Sequence, residues 1–270
     1  MLKSAILVAV TTIIALITPA LAEQSSWRES GGHEWVLDLS FENGLTQRIL
    51  YLAPARPRAT LIMLPGGTGK VGVQRNGDLL HDDNFVVRTR EDWVARGYAV
   101  LIPDTIAQAN LRGARSSPAY GKLVDDLVAY AHSHIQVPVF LIGTSQGTIA
   151  AMNGAARSQA DSIAGLVLTE SVSMPGRLST ETVFDADPSA VRVPALVVAN
   201  RDDACDVAPP EMAPRIVASM TRSPDARVLT VRGGVERSAK ACGSLSPHGY
   251  YGIENEVVGA IANWLHEHGG

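Results

Sequence analysis

The chain has 270 residues, 46% hydrophobic and 19% charged, a balance that excludes a disordered polymer and suits a packed globular core. A formal net charge of -4 leaves no basic excess to meet a phosphate backbone, so a nucleic-acid partner is not expected. Two cysteines are too few for a disulfide-built miniprotein or a cysteine-rich zinc module.

Residues 1–22 read as an export leader rather than as fold. Lys3 gives a positive start, Ala5 to Ile17 is apolar apart from Thr11 and Thr12, and Pro19 leads into Ala20-Leu21-Ala22, the small-x-small pattern of a cleavage site. The run is short for a membrane span and no basic cluster follows it, so cleavage after Ala22 and no membrane span thereafter are expected. Residues 23–270 then form a single domain, exported to a periplasm or to the medium.

Residues 23–32 are polar and end in glycine, which suggests a loose lead-in. Strand-like Glu34–Phe41 and Gln47–Leu52 flank Glu42-Asn43-Gly44, and Asn-Gly between such runs signals a hairpin, with Glu34 and Trp35 on an edge strand. From Ala59 onward, short apolar runs alternate with helix-like stretches. The runs are Ala59–Leu64, Tyr98–Pro103, Val137–Ile142, Ile163–Leu168, Ala195–Ala199 and Arg227–Val231. Several are continuously apolar, as strands are when helices cover both faces of a parallel sheet. Helices are predicted at Thr89–Arg96, Tyr120–Ile135, Gly147–Arg157, Pro210–Met220 and Gly252–His266. The alternation implies an α/β fold with a doubly wound, mostly parallel sheet, an N-terminal antiparallel hairpin and no large cap domain.

The strand Val137–Ile142 runs into Gly143-Thr144-Ser145-Gln146-Gly147, followed by the helix-compatible Thr148-Ile149-Ala150-Ala151-Met152. This is G-x-S-x-G between a strand and a helix. A serine on so sharp a turn takes strained backbone angles, and side chains two residues to either side would strike the neighbouring strand and helix. The turn lifts the hydroxyl clear of the sheet and sets it at a helix N-terminus, where developing negative charge is favoured. Ser145 is therefore the candidate nucleophile.

With these features the chain resembles the α/β-hydrolase family over nearly all of its predicted mature length. Its size and plain topology are similar to the small-esterase and dienelactone-hydrolase-like branches, although the nucleophile here is serine and not cysteine. The resemblance implies a histidine base, a carboxylate after a late strand, the chain order serine–acid–histidine, and an oxyanion hole of backbone N–H groups. Of seven histidines, four precede Ser145, and His266 and His268 sit at the tail of the last helix, which leaves His248 in Ser246-Pro247-His248-Gly249 as the base. The acid belongs just after Ala195–Ala199, where Asn200-Arg201-Asp202-Asp203-Ala204-Cys205-Asp206 offers three aspartates. The family spacing selects Asp203, with Asp202 next and Asp206 as a solvated or capping residue. Asn200 would stand for the usual turn glycine because Asn tolerates left-handed angles. Glu170, after Ile163–Leu168, is a further alternative, since some relatives carry the acid there. Gly67, with Thr68 next, and Gln146 are the implied oxyanion donors, in Pro65-Gly66-Gly67-Thr68 and directly after the serine.

The implied activity is hydrolysis of a small-molecule carboxylic ester through an acyl-enzyme, with no cofactor and no metal. Amide cleavage and acyl transfer use the same three side chains, and a silent binding protein would be expected to lack one of them. Gly69-Lys70 does not complete a phosphate loop, because Val71 replaces the required Ser or Thr. His132 and His134, two apart on a helix, point to different faces and cannot share an ion well. Cys205 and Cys242 are an even pair in an exported chain, hence a disulfide that would tie the acid loop to the base loop. Arg88 or Arg90 could meet a substrate carboxylate at the mouth, though a solvated helix entrance is the plainer reading. Tyr250 and Tyr251 either wall the site or pack the last helix.

Overall fold

The structure is a computed structural model that describes residues 26–30, 32–41 and 44–270. The leader and the Glu42-Asn43 part of the hairpin turn lie outside the described residues. Among the described residues nine strands form one sheet: β1 (Ser26–Ser30), β2 (Gly32–Ser40), β3 (Thr46–Ala53), β4 (Thr60–Leu64), β5 (Ala99–Pro103), β6 (Val139–Thr144), β7 (Gly165–Thr169), β8 (Ala195–Asn200) and β9 (Ala226–Val231). Their order is β1-β2-β3-β5-β4-β6-β7-β8-β9. The first three strands and the β3–β5 pair are antiparallel, and every other pair is parallel.

The lead-in is thus partly a strand. β1 pairs with β2 from Ser26↔Val36 to Ser30↔Gly32, so Glu34 and Trp35 lie inside the sheet and not at its edge. The predicted strands otherwise hold, with small shifts. β6 continues through Gly143 and Thr144, and Thr144 pairs with Thr169 of β7, so the turn at Ser145 begins later than the apolar run suggests.

Both faces of the central strands are buried, which explains their unbroken apolar sequences. Successive residues alternate between two cores: Ile62, Leu64, Val139 and Leu141 on one face, Leu61, Met63, Phe140 and Ile142 on the other. The first face is covered by α3 (Pro118–His134), α4 (Gly147–Arg157) and α5 (Ala213–Ser219). The second is covered by α1 (Phe85–Arg88), α2 (Arg90–Ala95) and α6 (Glu254–Glu267).

Local chemistry sets the helix boundaries. α3 starts two residues before the predicted Tyr120 because Pro118 fits the first turn and the Ser117 hydroxyl accepts from the Tyr120 N–H at 3.2 Å. The helix expected at Thr89–Arg96 is two short helices broken at Thr89, whose hydroxyl donates to the Phe85 carbonyl at 2.8 Å. The Ser171–Val191 segment buries Val172, Val183, Ala186 and Val191 in the α3/α4 core. It is anchored at these positions and forms no separate cap.

Candidate active site

β6, β7 and β8 run side by side in parallel, so their C-terminal ends open on one edge of the sheet. Ser145 follows β6, Glu170 follows β7, and Asp203 lies just past β8. Ser145 holds the left-handed angle φ 51°. The turn is closed by its neighbours. A Cβ on Gly143 would stand 2.4 Å from the Gly147 carbonyl, and one on Gly147 would stand 1.9 Å from the Leu64 carbonyl of β4. The two flanking glycines are therefore a steric requirement of the serine's position.

His248 sits in a short 3-10 turn, Pro247–Gly249, between β9 and α6, and the Ser246 hydroxyl accepts from the His248 N–H at 3.2 Å. Its Nε2 is 2.9 Å from Ser145 Oγ, and its Nδ1 is 2.8 Å from Asp203 Oδ2. The Asp203 carboxylate is fully buried, and its Oδ1 accepts the Cys205 N–H at 2.8 Å. Asp202 points elsewhere: it accepts the Gly233 N–H at 2.9 Å and lies 3.6 Å from the Arg232 guanidinium. Asp206 is exposed at the cleft wall. The geometry thus joins Ser145, His248 and Asp203 in one line and leaves the other two aspartates out of it.

Asn200 does not take left-handed angles; it is the last residue of β8. Its part is played by the amide. Nδ2 donates to the Gly233 carbonyl at 2.8 Å and the Pro247 carbonyl at 3.0 Å, fastening the acid loop to the residue before His248. A second tie is covalent. Cys205 and Cys242 are disulfide-bonded. Cys205 is the donor to Asp203, and Cys242 lies in the turn whose Ala241 and Gly243 carbonyls accept from the Ser246 hydroxyl.

Arg88 is a third tie, and it corrects the idea that it meets substrate. Its guanidinium donates to the Gly249 carbonyl at 2.6 Å, to the Ser244 carbonyl at 3.3 Å and to the Asp83 carbonyl, and pairs with Glu254 at 2.9 Å. Arg90 donates to the Val87 carbonyl at 3.0 Å. Tyr250 is buried beneath the site with φ 55°, edge-on to Phe85 at 4.9 Å, while Tyr251 lies under the Arg88 guanidinium. Both tyrosines pack the base loop.

Gly67 has φ 56°, and it and Gln146 line the same cleft as Ser145 and His248. Among the described residues, neither backbone N–H donates to a protein acceptor. Their loops are coupled by Arg115, a buried side chain that carries no signature in the sequence. It donates to the Pro65 carbonyl at 3.2 Å and to Gln146 Oε1 at 3.3 Å, and burial pulls its guanidinium below the ordinary arginine value. The Gln146 amide also donates to the Leu178 carbonyl at 2.6 Å. Asn84 is another residue without a sequence signal; its amide nitrogen would lie 3.3 Å from a Cβ on Gly66. The cleft measures about 800 Å³, within the range of small-molecule sites.

Glu170 takes φ 47° directly after β7 and is buried. Its Oε1 accepts the Asn200 N–H at 3.0 Å. Burial above all, then the neighbouring Asp203 charge, pushes its carboxyl well above the ordinary range. His132 and His134 turn to separate carbonyls, of Ser162 at 2.7 Å and Tyr130 at 2.9 Å.

The fold is the α/β-hydrolase fold. No protein-family model matches the chain, and no curated protein matches it in sequence. Solved structures do match in shape. An esterase of Pyrococcus furiosus superposes with a TM-score of 0.62 at 12% identity, covering 99% of this chain and 100% of the esterase. A dienelactone hydrolase of Anabaena variabilis gives 0.62 at 16% identity, covering 89% of this chain and 100% of that one. An acetyl xylan esterase of Thermoanaerobacterium gives 0.54 at 13%, covering 87% and 89%.

Proposed function

We propose that the chain is an exported serine hydrolase that cleaves a carboxylic ester. One observation carries the reading: a serine hydroxyl on a left-handed turn, 2.9 Å from an imidazole whose far nitrogen is 2.8 Å from a buried carboxylate. In that reading His248 Nε2 takes the Ser145 proton as Oγ attacks the ester carbonyl. Asp203 keeps the imidazole proton on Nδ1 and stabilises the imidazolium. The N–H groups of Gly67 and Gln146 receive the carbonyl oxygen as it becomes an oxyanion, a contribution of about 3–4 kcal/mol for a single such donor. His248 then returns the proton to the departing alcohol, and water activated by the same imidazole releases the acid.

Similar folds with esterase names support the choice of an ester, and the open cleft suits a small acyl substrate. The disulfide and the leader pattern support an oxidising compartment outside the cytoplasm, with residues 23–270 as one mature domain. Among the described residues no helix is long and apolar enough to cross a membrane. The test is a fluorophosphonate probe followed by short-chain chromogenic esters and the matching anilides. Labelling at Ser145 that disappears in Ser145→Ala, with esters turned over ahead of anilides, is the expected result. A wild type that neither labels nor turns over any acyl substrate overturns the hydrolase reading, and anilides cleaved faster than esters would make it an amidase.

A further inference from the structure

The line of three side chains does not end at Asp203. A Glu170 carboxyl oxygen, an Asp203 carboxylate oxygen and a His248 ring nitrogen lie within 4.8 Å of one another, all three residues buried. Two carboxyl groups this close, out of water, cannot both be ionised without strong repulsion. Only one of them has a cationic use, since Asp203 faces the imidazole that becomes charged. Glu170 Oε1 is spent on the Asn200 N–H, and its buried Oε2 makes no hydrogen bond of ordinary geometry, with the Asp203 carboxylate and the Tyr250 hydroxyl as its polar neighbours. A lone buried carboxylate oxygen is costly, whereas a carboxylic O–H beside a carboxylate is satisfied and satisfies its neighbour.

We propose that Glu170 is a positioning residue of the active site, a neutral carboxylic acid whose Oε2–H donates to the Asp203 carboxylate and holds it facing His248. This rests on the reading of Asp203 and His248 as acid and base. The titratable groups facing Glu170 are Asp203 from the loop after β8, and His248 and Tyr250 from the loop before α6. The Tyr250 hydroxyl donates to the Val198 carbonyl at 3.1 Å. The wall contributed by residues 208–216 is Ala208, Pro209, Pro210, Ala213 and Ile216, which offers no side-chain charge. The backbone agrees with a fixed role: φ 47° at a glutamate is an unfavourable conformation, held by the Glu170 N–H bond to the Val198 carbonyl at 3.1 Å.

Glutamine can donate from the same place, and methionine cannot. Infrared difference spectra of wild type against Glu170→Gln at neutral pH are expected to show the C=O stretch of a protonated acid, shifted in Asp203→Ala. Absence of that band overturns the proposal, and a band that moves in Tyr250→Phe but not in Asp203→Ala overturns it too, because the phenol and not Asp203 would then be the partner of the acid's O–H. For the positioning role, fluorophosphonate labelling of Ser145 is followed against pH. Glu170→Gln should stay within about threefold of wild type, while Glu170→Met falls about tenfold or more and its acid limb moves. Loss in Glu170→Gln as deep as in Glu170→Met, or no loss in either, overturns it. The infrared band needs no substrate, so it reports on the Glu170 proton even where the hydrolase reading fails.

Discussion

The two walls of the cleft are built on opposite principles. The wall that carries His248 and Asp203 is cross-tied within itself by the Cys205–Cys242 disulfide and the Asn200 amide, and is fastened to α1 by the Arg88 guanidinium. Across the cleft, the Gly67 and Gln146 N–H groups have no protein acceptor among the described residues, and Lys70 and Arg177 line the mouth without an ion pair among them. In the proposed reaction the groups that exchange a proton are fixed in advance, which removes the cost of orienting them. The groups that would receive a substrate oxygen are left with donors to offer, which is what charge stabilisation requires.

The contrast can be broken at its tightest point first. Asp203→Asn should lower the rate of ester cleavage by about 10⁴-fold, because the amide favours the wrong imidazole tautomer. Asp202→Asn, which loses only contacts to Gly233 and Arg232, should leave the rate within a few-fold of wild type. A rate loss confined to Asp202→Asn would reassign the acid.

Next comes the covalent tie. The bridge spans 37 residues, for which a chain-entropy estimate gives roughly 3.5–4 kcal/mol of stability. Joint replacement of Cys205 and Cys242 by serine should lower the unfolding free energy by that much and reduce turnover more than it raises KM. Unchanged turnover in a folded double variant would mean that the disulfide stabilises the domain without aligning the pair.

The mildest expected effect concerns Glu170. In the unfolded chain its carboxyl ionises near 4.5, whereas burial keeps it protonated in the fold far above that value. Above the unfolded value the unfolded chain binds fewer protons than the native state, so this group's contribution falls as pH rises toward the folded value. Glu170→Gln has no proton to lose. Its stability relative to wild type should climb as pH rises above the unfolded value, by up to about 1.4 kcal/mol over the first pH unit. A flat difference across that range would show that the carboxyl ionises normally.

Much of the site was legible because its residues obey local rules. Gly143 and Gly147 flank a serine whose turn leaves no room for a Cβ, and that requirement is written within five residues. The resemblance placed Asp203 and His248 by chain order and loop position. Arg115 had no such signature, and the role of Arg88 was misplaced at the mouth, because an arginine tying two loops looks like any surface arginine until both loops are in place. The β1 strand was missed for a related reason: its run is mostly polar, and it pairs along the edge that β2 presents.

The primary sequence by itself determined the layered sheet, since continuous apolar runs can be buried only between helices, and it determined the serine turn, since glycine spacing is a steric fact about neighbouring backbone. Tertiary structure decided which of three aspartates faces the imidazole and that Glu170 stands behind it. Those choices depend on where separate strand ends meet, and electrostatics between buried groups acts over ångströms of space rather than along the chain.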